Sequence, residues 1–359
     1  MRIISLFVAS VGMLLMTQSC SNSKAPSTDN GQMPRGEAQA EITAAADALI
    51  AYTDTMEGVT LQSVMIAQHG KVVYEKWVNG GYADTAHVMH SVSKSFCATA
   101  VGMLVDDGKL KVTDKVIDFF PDQLPAEVSD NLKAMTIRDL LTMNCGHETE
   151  PNVRHNGDST DWVSAFLAHP VTKQPGTWYC YNSIGTYMLS AIVQKVSGQK
   201  VVDFLAPRLF EPLHIDKPRW DESPQGINCG GWGLFIKTED MLKFGQLFLQ
   251  QGQWEGKQLL SREWVAEASA CQVPSVPAGT RPDEVEAKGL NTDNCAWLLG
   301  YGYQMWRCPD NAYRADGARG QYIIVMPDQD AVIAITADSP DLQAELSSIY
   351  KYLFPVLKK

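Results

Sequence analysis

The sequence predicts an α+β fold: an antiparallel sheet assembled from both chain ends, flanked by helices and enclosing a mainly helical inserted subdomain. Three observations predict it. Two apolar runs, 61–68 and 71–78, meet at His69-Gly70 and read as a hairpin near the start of the chain. Two more, 321–326 and 331–336, meet at Pro327-Asp328-Gln329-Asp330 near its end. Between them, roughly 91–270 is mainly helical patterns and loops. Strands at both ends with helices between are most simply joined as one sheet around an insertion.

Each element has its own signal. An Ala-rich stretch, 40–53, precedes the first hairpin and reads as a helix. In the insertion, 94–106, 136–143, 183–196 and 237–250 are the clearest helices. After the second hairpin, Leu342, Leu346, Ile349, Tyr350 and Leu353 recur with helical period, which places them on one face of a terminal helix. A cleft is expected where sheet and insertion meet.

The first forty residues follow a different plan. Arg2 precedes an apolar run, 3–16, which predicts a signal peptide over 1–19. The segment resembles a bacterial lipoprotein signal with Cys20 as the lipidated residue, although Thr17 and Gln18 depart from the usual Leu and small residues. A plainly secreted protein with Cys20 unmodified is the alternative. Residues 20–40 are polar, with Pro26, Gly31, Pro34 and Gly36, and read as a flexible tether. The folded domain is expected over 41–359. The expected location is therefore outside the cytoplasm, in the periplasm or cell envelope, with membrane contact only through that N-terminal anchor.

Composition narrows the function. Among 359 residues, 45% are apolar and 20% charged, which is ordinary for a globular protein. The net charge of −11 argues against a nucleic-acid partner, which requires a basic surface. Seven cysteines follow Cys20 without a CxxC pair; Cys295 and Cys308 are close enough in sequence to pair, and buried free thiols are equally compatible. His87 and His90 stand three apart with no third ligand spaced to join them, so no metal is expected.

One short pattern carries chemistry. Ser91-Val92-Ser93-Lys94 puts a hydroxyl and an amine on one face of a helix start. A desolvated lysine favours its neutral form, which can take the serine proton and make the serine a nucleophile. The same spacing also begins at Ser21, Ser197 and Ser348, but only Ser91 opens a helix of small and apolar residues. Its amide, in the first turn, is placed to bind an oxyanion. A plain helix cap is the simpler role for Ser91. Downstream, Pro175-Gly176-Thr177 and Tyr181 precede another apolar helix. A phenol beside an ammonium can serve as a base, whereas a core tyrosine needs only a partner for its hydroxyl. Trp232, Tyr301, Tyr303 and Trp306 lie in Gly-rich segments, where pocket lining and core packing both fit.

Taken in order, Ser91-Val92-Ser93-Lys94, the stretch 135–142, Pro175-Gly176-Thr177 with Tyr181, Gly230-Gly231-Trp232-Gly233, and Gly317 with Gly320-Gln321 resemble the class C β-lactamase and penicillin-binding-protein-like serine hydrolases. The resemblance spans about 45–355. It implies the β-lactamase/transpeptidase-like fold, with Ser91 as the acylated nucleophile, Lys94 as its partner, Tyr181 as the tyrosine of the Tyr-x-Asn motif and Ala318 as the second oxyanion amide. It implies no cofactor. Two departures stand out: Ser183 replaces the motif's Asn, with Asn182 one place early, and Ala315 stands where Lys or His begins the third motif, Ala315-Asp316-Gly317. Arg319 or Arg314 is an available substitute for that charge, and a solvated loop charge or a structural ion pair fits both arginines equally well; Ser183, Trp232 and Gly317 are the further substrate-binding candidates. The expected function is an exported serine hydrolase acting on an ester or amide, peptide or β-lactam included. The alternative is a surface lipoprotein that binds a cell-wall peptide or penicillin without catalysis.

Overall fold

The computed structural model describes residues 31–153 and 160–358; Cys20 and the signal segment lie outside them. Six antiparallel strands form the main sheet, in the order Lys71–Trp77, Leu61–Gln68, Ala331–Ala337, Gln321–Met326, Tyr313–Gly317 and Trp306–Arg307. The two ends of the chain therefore meet in mid-sheet. Val64 lies opposite Ile335 and Ile66 opposite Ile333.

The period of two sorts side chains between two cores. Ile333 and Ile335 pack with Ile66, Ile324 and Leu346 under the helices Ala40–Thr53 and Leu342–Tyr352. Val332 and Ala334 face the other way, with Met65, Ile323, Phe96 and Phe244. Both faces are covered, which is why these strands are apolar along their whole length rather than alternating.

The second core is roofed by the insertion, whose helices Ser93–Asp106, Ser183–Ser197 and Thr238–Leu249 agree with the predicted spans to within a residue. Local chemistry fixes their ends. Asn182 caps the second by accepting from the Gly185 amide at 2.9 Å, and Gly198, at φ 73°, closes it. The stretch 136–143 gives a shorter helix, Ile137–Leu141, started by a capping box between Thr136 and Asp139 and stopped by Met143 at φ 60°.

Two expectations change. The strand Tyr313–Gly317 and its short neighbour Trp306–Arg307 were not legible, because Arg314 and Asp316 break the apolar pattern; they form an ion pair inside the fold instead. The described end of the expected tether is not free either. Met33 is buried, the 34–36 backbone bonds with Val72, and Arg35 pairs with Glu75 at 2.7 Å and Glu239 at 2.6 Å. Among the described residues, packing against the domain thus reaches back to Met33.

The seven described cysteines are free thiols, so Cys295 and Cys308 are not joined.

Candidate active site

Ser91 sits in a single 3-10 turn, His90–Val92, that runs directly into the Ser93–Asp106 helix. His90, at φ 45°, turns the chain sharply out of the strand His87–Val88. The turn is pinned from outside: the Met89 amide donates to the Leu234 carbonyl at 2.8 Å, and the Ser93 hydroxyl accepts from the Leu234 amide at 3.1 Å.

Lys94 is 1% exposed. Its Nζ lies 2.9 Å from Ser91 Oγ, 3.0 Å from Ser183 Oγ and 2.7 Å from the Gly231 carbonyl. An ammonium has three donors, so all three contacts are satisfied when it is charged. A neutral amine has two donors and one lone pair. The Gly231 carbonyl can only accept and the Ser183 hydroxyl is placed to accept, so the lone pair is directed at Ser91. The arrangement therefore fits the lysine both before and after it takes the serine proton. Gly231 is required by the close approach, since a Cβ there would fall 2.6 Å from the Ser183 carbonyl.

The departure in the second motif now has a physical reason. Asn182 is occupied as helix cap, and its Nδ2 donates to His147 Nδ1 at 3.1 Å. Burial, with His169 adding to it, pushes His147 down to about 3, so the ring stays neutral and can accept that bond. Ser183, the next residue, turns toward Lys94. The amides of Ser183 and Ile184 donate to Glu150 Oε1 at 2.8 and 3.1 Å, which complements the positive end of that helix. Glu150 was not singled out from sequence: nothing local marks it, because its partners are 33 and 34 residues away.

Tyr181 lines the same cleft as Ser91. Its ring centroid is 4.9 Å from Lys94 Nζ, and the ring stacks on Trp306 at 5.6 Å, with Tyr301 edge-on at 6.5 Å. The cleft measures about 240 Å³ and is completed by Pro277, Ala278, Trp297, Asp316, Ala318 and Leu342. A larger hollow of about 590 Å³, at Met103, Asp106 and Lys257, contains none of these groups.

Ala318 follows the Tyr313–Gly317 strand at the cleft wall. Gly317 has a packing reason: a Cβ there would lie 2.5 Å from the Met89 carbonyl, so only glycine lets this strand press against the turn that carries Ser91. Of the two readings of the arginines, the structure shows the ion pairs. Arg319 is half-exposed and pairs with Asp338, and Arg314 is fully buried with its Nε 2.9 Å from Asp316 Oδ2. Neither is among the cleft-lining residues. Trp232 also packs: its ring lies 5.7 Å from Trp162 and its carbonyl accepts from the Trp220 indole at 2.8 Å.

A buried lysine bonded to a serine at the start of a helix, facing a tyrosine across a sheet-edge cleft, defines a serine hydrolase of the Ser-x-x-Lys type. The comparisons agree. The Beta-lactamase family model matches residues 46–353, and the chain belongs to that family. A 6-aminohexanoate-dimer hydrolase of Paenarthrobacter ureafaciens is 25% identical over 79% of this chain and 74% of its own. Penicillin-binding protein 4 of Amycolatopsis lactamdurans is 25% identical over 75% and 76%. A penicillin-binding protein homolog from Caulobacter crescentus shares the fold, with a TM-score of 0.66, 17% identity and coverage of 89% of this chain and 99% of its own. The protein is a serine hydrolase of this family.

Proposed function

We propose that the chain hydrolyses an ester or amide through an acyl-enzyme on Ser91. Lys94, assisted by Tyr181, takes the Oγ proton as the serine attacks the carbonyl carbon. The amides of Ser91 and Ala318 receive the oxyanion. Collapse breaks the bond to the leaving group, which takes the proton back, and water then repeats the sequence on the acyl-serine. The observation that carries this reading is the 2.9 Å contact to Ser91 from a buried Lys94 that also bonds Ser183 and Gly231.

The substrate needs no carboxylate anchor, because Ala315 supplies no cation and both nearby arginines are engaged. That favours simple esters and amides over β-lactams. The activity in the Paenarthrobacter relative's name, hydrolysis of an aminohexanoate dimer, supports an amide among them. Export with an anchor at Cys20 belongs to the same proposal and rests on the N-terminal sequence alone; a Cys20→Ala variant that stays with the membrane fraction would refute the anchor.

Intact-mass analysis with a fluorophosphonate tests the chemistry. One adduct is expected, absent from Ser91→Ala, and Lys94→Met and Tyr181→Phe are expected to cut kcat by about 10²–10⁴-fold while remaining folded. A folded wild-type protein that no acylating probe labels would instead favour the non-catalytic binding reading.

A further inference from the structure

We infer that Glu150 is a positioning residue for the lysine base, acting through Ser183: its carboxylate takes the free amides of a helix start and so leaves the Ser183 hydroxyl to Lys94. The inference rests on the hydrolase reading above and adds to it a residue that is not among those lining the cleft.

The first turn of the Ser183–Ser197 helix has its amides assigned one by one. The Asn182 amide donates to Met143 Sδ at 3.2 Å. Those of Ser183 and Ile184 donate to Glu150 Oε1 at 2.8 and 3.1 Å, and that of Gly185 to the Asn182 side chain at 2.9 Å. Amides in this position have no partner inside the helix, and a serine beside them tends to spend its hydroxyl on them. Here they are satisfied from outside the helix. The Ser183 hydroxyl is therefore available to Lys94 Nζ, 3.0 Å away.

Glu150 is exposed, yet its backbone is held on both sides. Glu148 Oε2 accepts from the Thr172 hydroxyl at 2.8 Å, and the Thr149 carbonyl lies 3.0 Å from His169 Nε2. Pro151 follows and is buried, and a residue before proline is biased to extended backbone. Three successive residues thus tie this segment to Thr172, His169 and the helix start. Between those anchors in sequence lies the stretch that carries Tyr181. Removing the Glu150 carboxylate leaves two amides without that acceptor. The Ser183 oxygen belongs to the same turn, and turning toward the amides draws it away from Lys94. The lysine then keeps Ser91 and the Gly231 carbonyl but loses one of the contacts that hold Nζ in place.

The test is a double-mutant cycle on turnover of phenyl butyrate. Glu150→Ala should lower kcat about 10–100-fold with KM little changed, the loss expected for Ser183→Ala itself. The double variant, Glu150→Ala with Ser183→Ala, should be no slower than Ser183→Ala alone, because side chains that act as one unit are not additive. Glu150→Gln keeps an oxygen that can accept from both amides, so its kcat should return to within a few-fold of wild type. Glu150→Asp, with its carboxyl withdrawn by one methylene, should behave like the alanine variant and takes its place in the cycle if that variant does not fold. Losses that multiply in the double variant would show Glu150 acting apart from Ser183 and would overturn the inference. So would a rise in KM at unchanged kcat, which marks a substrate contact, or a Gln variant as slow as Ala. Wild-type kcat in folded Glu150→Ala refutes this role alone. A wild type that neither turns over the ester nor gains a Ser91 adduct with the fluorophosphonate refutes the hydrolase reading itself.

Discussion

The two walls of the cleft are built on different physical plans. The helical wall concentrates polar atoms. Ser91 Oγ, Ser183 Oγ and the Gly231 carbonyl all lie within 3.0 Å of Lys94 Nζ. The strand wall pairs its charges, with Arg314 buried against Asp316, and only Asp316 of the two joins the aromatic rings and Ala318 in lining the cleft. The difference divides the labour. The helical wall holds the groups that can exchange a proton, whereas the strand wall gives the cleft its shape.

Substitutions that cross this division test it. The largest effect is expected from Gly317→Ala, on the strand wall. The new methyl meets the Met89 carbonyl, so strand and turn must separate, which in the proposed mechanism takes the Ala318 amide away from the oxyanion. A kcat loss of about 10²–10³-fold is expected, the cost of one oxyanion donor. Unchanged kcat in a folded variant would mean that the strand wall does not set the oxyanion geometry. Ser183→Ala on the helical wall comes next. It removes one of three acceptors from Lys94 without disturbing the cap at Asn182, and kcat should fall about 10–100-fold with KM little changed. A rise in KM alone would place Ser183 in substrate binding instead. Arg319→Ala should do least. Its exposed pair with Asp338 contributes about 0–1 kcal/mol, so melting temperature and kcat/KM should barely move. A clear rise in KM would restore Arg319 as a substrate anchor.

How far each part could be read in advance depended on the range of its determinants. The Leu61–Gln68 and Ala331–Ala337 strands announce themselves through short apolar runs bounded by turns. The helix starts at Thr136 and Asn182 are signalled by their caps. Ser91 and Lys94, three residues apart, share a helix face whatever the rest of the chain does. The Tyr313–Gly317 strand gave no such signal, since its buried Arg314 and Asp316 look like a surface loop until they are paired. Met33 and Arg35 resembled tether for the same reason: Arg35 meets Glu75 and Glu239, 40 and 204 residues away, and the Met33 amide meets Glu239, 206 residues away.

The amino-acid order alone determined the two hairpins, the main helices and which serine has its base one turn away, because periodicity, capping and i,i+3 spacing act over a few residues. Only the tertiary structure decided that Ser183 rather than Asn182 meets Lys94, that Gly231 supplies the third acceptor, that Arg314 and Arg319 are spent in ion pairs, and that Asp316 enters the cleft wall. Each of these depends on groups brought together by burial across long stretches of chain, and the energy of a hydrogen bond or ion pair is set by that enclosure rather than by the residues that make it.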